Sequence, residues 1–496
     1  MERNSGILLH PSSLPDSPIC GTFGNTARVW LNDLAKCGIG VWQFLPLAPP
    51  DSLGSPYSSP SSFAFNPWFL DENDLVRDGF LPDNKENATL KIEAFDNRVD
   101  FQLANSKVKK LSFSLVNYWE EQNPTIKEEF QIWCENQFWL EDHSIFMELR
   151  AQNNNLPWWE WPEKFSIYDK KEILNWKKEN QKELLAHNLI QWHLDRQWKS
   201  IRKLAKNLGI YLFGDVPFYV SKDSADVWSN RSLFSILTNS DTYLQSGVPP
   251  DYFSETGQLW GNPVYRWRRH KVNKYKWWRK RISRHLEQVD FLRLDHFRAF
   301  EAFWAIPGKA LTAENGFWLP SPGQEILGLI KKDCLGELPL VAEDLGLITS
   351  KVEKLRDDYE LAGMKILQFA FDGNLDNPYL PENIKDENWI VYTGTHDNST
   401  SLGWWKEMDQ DRKEQFKERI PDYDNFSSWE LIRIGMETKA KLFVAPMQDL
   451  LNLDDDSRLN KPGTIENNWS WRLNRNNLNI IEALKKYGDL AEKYQR

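Results

Sequence analysis

Val289-Asp290-Phe291-Leu292-Arg293-Leu294-Asp295 is an apolar run that closes on an acidic residue and leads directly into His296, Phe297 and Arg298. A run this short and apolar suits a parallel strand buried on both faces, because in such sheets helices cover both sides. Working outward, similar runs ending in Gly, Pro or acidic residues stand at 6–10, 41–47, 210–215, 338–343, 364–371, 389–393 and 442–446, which with 289–295 makes eight. Helical patterns lie between several of them, at 26–37, 184–207 and 350–360, and Asn207-Leu208-Gly209 supplies a helix stop before the third run. Strands alternating with helices predict an α/β fold, a (β/α)8 TIM barrel with right-handed connections.

Residues 1–496 then read as one catalytic barrel with two excursions. The first, 51–181 between strands two and three, opens with the Ser/Pro-rich 52–67 and continues through Trp-rich helical segments, so an inserted helical subdomain is expected. The second, 227–281 between strands three and four, carries 247–261 and is too long for a plain barrel loop. Loops at the carboxyl ends of barrel strands build active sites. After the eighth run 50 residues remain (496 minus 446), fewer than the ~100 of a β-sandwich, so no C-terminal sandwich domain is expected.

The formal charge of -10 argues against nucleic acid and anionic membranes, partners that reward clustered Lys and Arg. The 25 Trp, 15 Tyr and 27 Phe are a surplus of flat apolar platforms that suits sugar rings, although most must serve the core. Cys20, Cys37, Cys134 and Cys334 are scattered and read as reduced, buried thiols. The apolar run 7–9 is too short for a signal peptide, no stretch approaches the ~20 apolar residues of a membrane span, and a cytoplasmic location follows as an expectation.

Chemistry is expected where acidic residues gather at strand ends. Gly214-Asp215-Val216-Pro217 ends strand three, Asp295-His296 ends strand four, Ala342-Glu343-Asp344 ends strand five, and His396-Asp397-Asn398 follows strand seven. Asp295 and Glu343 should face each other from neighbouring strands. A carboxyl pair there fits glycosidic chemistry, with retention at ~5 to 5.5 Å and inversion at ~6.5 to 9.5 Å. Arg293 shares strand parity with Asp295, and a neighbouring guanidinium favours the ionised carboxylate. Strand alternation sends Glu343 and Asp344 to opposite faces without saying which faces the cleft.

These four segments resemble the signature regions of the α-amylase superfamily. The wider chain resembles its 4-α-glucanotransferase branch, the amylomaltases or disproportionating enzymes, through 5–15, Ser55-Pro56-Tyr57-Ser58-Ser59, Gly257-Gln258-Leu259-Trp260-Gly261-Asn262-Pro263 and Arg458-Leu459-Asn460-Lys461-Pro462-Gly463-Thr464. The resemblance implies Asp295 as nucleophile, Glu343 as general acid and then base, and Asp397 as a third carboxylate gripping sugar hydroxyls. It also implies sugar contacts from Arg293, His296, His396, Asp215 and Asn262, with Tyr57, Tyr252 and Trp260 as stacking platforms. The partners implied are α-1,4-glucans and maltooligosaccharides, with no metal or cofactor required. A hydrolase of the same superfamily and a non-catalytic glucan-binding scaffold remain the competing readings.

Overall fold

A computed structural model describes residues 3–83, 98–250, 254–417, 419, 425–474 and 479–496. Its twelve strands are β1 (Asn4–Leu8), β2 (Val41–Gln43), β3 (Tyr211–Val216), β4 (Leu244–Val248), β5 (Gln258–Pro263), β6 (Phe291–Leu294), β7 (Ala302–Pro307), β8 (Phe317–Pro320), β9 (Leu340–Ala342), β10 (Gly363–Ile366), β11 (Trp389–Tyr392) and β12 (Leu442–Pro446). Eight of them pair in the order β10-β11-β12-β1-β2-β3-β6-β9, every ladder parallel. A parallel bridge from Val341 to Ala362, with Ala342 N–H donating to Ala362 O at 2.8 Å, joins the two ends into a barrel. Each strand forms at one of the eight apolar runs. The sixth is shorter than its run, because the chain leaves the sheet after Ile366 into a 3-10 turn at Leu367–Phe369.

Beyond its Ser/Pro-rich opening the first excursion is mainly helical where it is described, including Phe101–Trp119, Pro124–Asn136 and Leu140–Gln152. Helix Gln181–Asn207 then returns the chain to the barrel, and it stops where Gly209 takes φ +72° while Ile210 N–H caps Ala205 O. A buried polar junction fastens the insertion down. Asp195 on that helix accepts from Trp133 Nε1 at 3.0 Å and pairs with Arg284 Nη1 at 3.1 Å, and both charged side chains are almost fully buried.

The second excursion carries strands of its own. β4 and β5 form an antiparallel hairpin, and β4 pairs also with β7 beyond the fourth barrel strand, giving a second sheet ordered β5-β4-β7-β8. The excursion, too long for a plain barrel loop, is half of a sheet whose other half follows β6. No strand is found after β12 among the described residues. That tail instead lays a loop over the barrel mouth and ends in helix Ile480–Lys493, whose Tyr487 hydroxyl donates to Gly6 O at 2.8 Å. The four cysteines stand free, and Cys20 is buried while Cys37, Cys134 and Cys334 are partly buried against the core, which corrects the expectation of four buried thiols. Among the described residues no helix is long and apolar enough to cross a membrane.

Asp195→Ala strands the Trp133 N–H and leaves the buried Arg284 guanidinium with the mostly exposed Glu287 carboxylate as its ion-pair partner, so a loss of ~2 kcal/mol is expected, seen as a lower thermal unfolding midpoint. Lys199→Ala, which removes a mostly exposed partner of the same carboxylate, should cost below ~1 kcal/mol.

Candidate active site

The parallel register of β3 and β6 sets Asp215 directly beside Arg293. Arg293 Nη1 lies 2.5 Å from Asp215 Oδ2, and its Nη2 lies 2.9 Å from Asp295 Oδ1. Asp295 stands one residue past the end of β6, where its N–H still bonds Val216 O at 3.0 Å, so the backbone is fixed up to that carboxylate. Burial pushes the Asp215 carboxyl up from its ordinary value against the pull of Arg293, and Asp295 adds to the rise. The Tyr57 hydroxyl donates to the same Asp215 oxygen at 2.8 Å.

Glu343 follows β9 in the same way. Its Oε2 accepts the His296 N–H at 2.7 Å and its Oε1 the Leu345 N–H at 3.0 Å. His296 reaches that position by taking φ +52°, a left-handed turn immediately after Asp295. Burial pushes the Glu343 carboxyl up to about 8; Arg293 opposes the rise, the Asp295 charge supports it, and the two backbone donors oppose it. Asp344 lies on the other side of the strand end, held by Arg356 Nη1 at 2.5 Å and by the Met364 N–H at 2.8 Å. Strand parity left that choice open, and these partners close it geometrically: Glu343, not Asp344, shares the space of Arg293 and Asp295.

Asp397 is the most exposed of the group, at 45 % of its side chain. Asn460 Nδ2 donates to its Oδ1 at 2.6 Å, His396 Nε2 lies 3.3 Å from the same oxygen, and Arg458 Nη2 holds its carbonyl at 2.8 Å. The His396 ring stacks on Tyr57 with centroids 5.1 Å apart and planes 9° from parallel, while Trp469 tilts against both. Trp260, on β5, is 37 % exposed and meets His296 edge-on at 4.9 Å. Burial pushes His296 down to about 4, so the ring is neutral, and its Nε2 has no partner within the protein.

Asp215, Arg293, Asp295, His296, Glu343, Tyr57, His396, Asp397 and Trp260 therefore form one chain of contacts. Asn262 is half-buried on β5, two residues beyond Trp260. Tyr252 lies outside the described residues. Sequence reasoning did not pick out Arg458, Asn460 and Trp469 as site residues, although the first two stood in a stretch already noted for its pattern. Among the described residues, no three or more of His, Cys, Asp and Glu are grouped to hold a metal ion.

A family model described as 4-alpha-glucanotransferase matches residues 9–478. The chain belongs to the 4-alpha-glucanotransferase family. A 4-alpha-glucanotransferase of Synechocystis sp. is 40 % identical over 485 residues, covering 96 % of this chain and 95 % of its own. One from Thermus thermophilus is 39 % identical over 483 residues, covering 95 % of each. Among solved structures, an amylomaltase from Streptococcus agalactiae in complex with acarbose superposes with a TM-score of 0.94 at 32 % identity, with 100 % of both chains covered. Family membership thus extends over the barrel, the insertion, the antiparallel sheet and the loop that holds Asp397.

The raised Glu343 carboxyl has a consequence for stability. Between pH 4.5 and about 8 the unfolded chain has released this proton and the folded chain has kept it, so stability falls as pH rises through that window, by ~1.4 kcal/mol per pH unit. Glu343→Gln removes the titration. Its thermal midpoint should rise relative to the parent at pH 8 and match it more closely at pH 4.5; equal offsets at both pH values would contradict the assignment.

Proposed function

We propose that this cleft transfers α-1,4-glucan segments from a donor chain to the 4-hydroxyl of an acceptor glucose or glucan by double displacement. Asp295 is the nucleophile and Glu343 the acid and then base. The observation that carries the reading is the placement of two carboxyl groups, one past the end of each of two adjacent strands, around one buried guanidinium. Arg293 contacts Asp295, while burial lets Glu343 beside them hold its proton up to about 8.

In the first step an Asp295 carboxylate oxygen bonds to the anomeric carbon as the glycosidic C–O bond breaks, and the Glu343 proton passes to the departing oxygen. In the second, Glu343, now a carboxylate, takes the proton of the acceptor hydroxyl. The acceptor oxygen bonds to the anomeric carbon and the ester to Asp295 breaks, restoring both groups. Two inversions give net retention. Asp397 accepts from sugar hydroxyls of the distorted ring, oriented for that by Asn460 and Arg458. His296, whose ring stands against the edge of Trp260, bonds another hydroxyl.

Transfer needs an acceptor seated before water reaches the ester. Trp260 on β5 offers an exposed platform, and Tyr57, His396 and Trp469 form a second aromatic group from three distant parts of the chain. Incubation with maltotriose separates the readings. Transfer yields glucose together with a ladder of longer oligosaccharides, hydrolysis yields only shorter sugars, and a scaffold binds amylose and leaves it unchanged. Four free cysteines also fit residence in the reducing cytoplasm, which cell fractionation checks.

Asp295→Asn fills nearly the same volume but attacks poorly, so turnover should fall on the order of 10^4-fold with the thermal midpoint little changed. Substantial residual turnover, with back-mutation excluded, contradicts the role. Glu343→Gln should recover its first step on α-glucosyl fluoride, whose leaving group needs no proton; a failure to recover would count against Glu343 as the acid.

A further inference from the structure

Away from the catalytic groups, a cavity of about 190 Å³ opens between the helical insertion and the barrel. It is lined from the start of helix Leu140–Gln152, from helix Ala225–Ser229 and from helix Lys276–Leu286. Phe63 meets Phe138 and Trp277 edge to face, at centroid distances of 5.0 and 6.0 Å, giving the cavity an aromatic wall. Asp226 and Asp142 supply carboxyl groups; the first accepts the Ser62 N–H at 2.8 Å and the second the Tyr168 hydroxyl at 2.6 Å.

Two polar atoms of lining side chains are left over. Trp277 Nε1–H and His143 Nδ1 are buried without a hydrogen-bond partner in the protein, on side chains 7 % and 4 % exposed. Such atoms are rare in native interiors, where most buried polar groups are paired. A cavity this size far exceeds the space of one water molecule. Ser61 lines both this cavity and the crevice that holds Tyr57, so one serine-rich turn separates it from the catalytic cleft.

The charges indicate the class of ligand. Burial pushes His143 down to about 3, which keeps it neutral, and pushes Asp226 up to about 6. Lys276 and Lys280 offset the two carboxyl groups, so the lining selects neither anion nor cation. Ring faces combined with both donors and acceptors match a pyranose, which has apolar C–H faces and a hydroxyl rim. We propose that this cavity is a second carbohydrate site, taking one neutral glucosyl ring, free or at the end of a maltooligosaccharide, independently of the catalytic cleft. The sugar's ring faces lie against the aromatic wall, and its hydroxyls pair with the carboxyl groups of Asp142 and Asp226 and the ammonium groups of Lys276 and Lys280.

Calorimetric titration of the Asp295→Asn protein with maltose tests this without turnover. The same protein is titrated carrying Asn273→Trp, at an exposed position on the rim, or Ser229→Phe, which fills the cavity from within. The parent should bind one maltose more per chain than either filled variant, with the remaining affinity unchanged. In the catalytically intact background both variants should keep the maltotriose product ladder at saturating substrate, so the outcome is separable from the reading of the catalytic site. Equal stoichiometry in the parent and Asn273→Trp overturns the proposal. Tighter binding of inorganic phosphate than of maltose at the cavity overturns it as well.

Discussion

One guanidinium organises the catalytic end of this barrel. Arg293 is 5 % exposed, and a charge so nearly excluded from water must be paired. It takes Asp215 across the strand register and Asp295 two residues onward, which fixes the direction of both carboxyl groups. Glu343 stands in the same field but is governed by burial and by the negative charge of Asp295, so it retains a proton that Arg293 alone would tend to expel. Two carboxyl groups on adjacent strands thereby stand in different surroundings, one in contact with the guanidinium and the other buried beside it.

The remainder of the site is held from a distance. Tyr57 comes from the first excursion, Trp260 from the antiparallel sheet, and Asn460 with Trp469 from the loop after the last barrel strand; each touches a side chain at a strand end. The barrel supplies rigid carboxylates, while the excursions supply the walls. The junction of Asp195, Trp133 and Arg284 bears on function in that sense, since it holds the helical insertion, and the turn bearing Tyr57 leads into that insertion.

The barrel was legible in the sequence because a strand covered by helices on both faces must be apolar throughout, and several such runs closed on an acidic residue or proline. The acidic strand ends were legible for the same reason. Parity separated Glu343 from Asp344 but gave no direction, which depended on Arg356 and the Met364 N–H claiming Asp344. The antiparallel sheet was not legible. β4 finds β7 across the fourth barrel strand, and half-exposed strands such as Gln258–Pro263 and Phe317–Pro320 lack the continuous apolar signature. The contact of Asn460 with Asp397 spans 63 positions and involves an ordinary polar residue, so no local pattern marks it.

In the proposed cycle the transferred sugar spends part of each turnover as an ester of Asp295. Mass spectrometry of protein trapped with a fluorinated glucosyl donor reads that ester, because the fluorine slows its breakdown and peptide sequencing locates the label. The label is expected on the peptide containing Asp295 and absent from the Asp295→Asn protein. A label on Glu343, Asp397 or any other residue would remove Asp295 from the role of nucleophile.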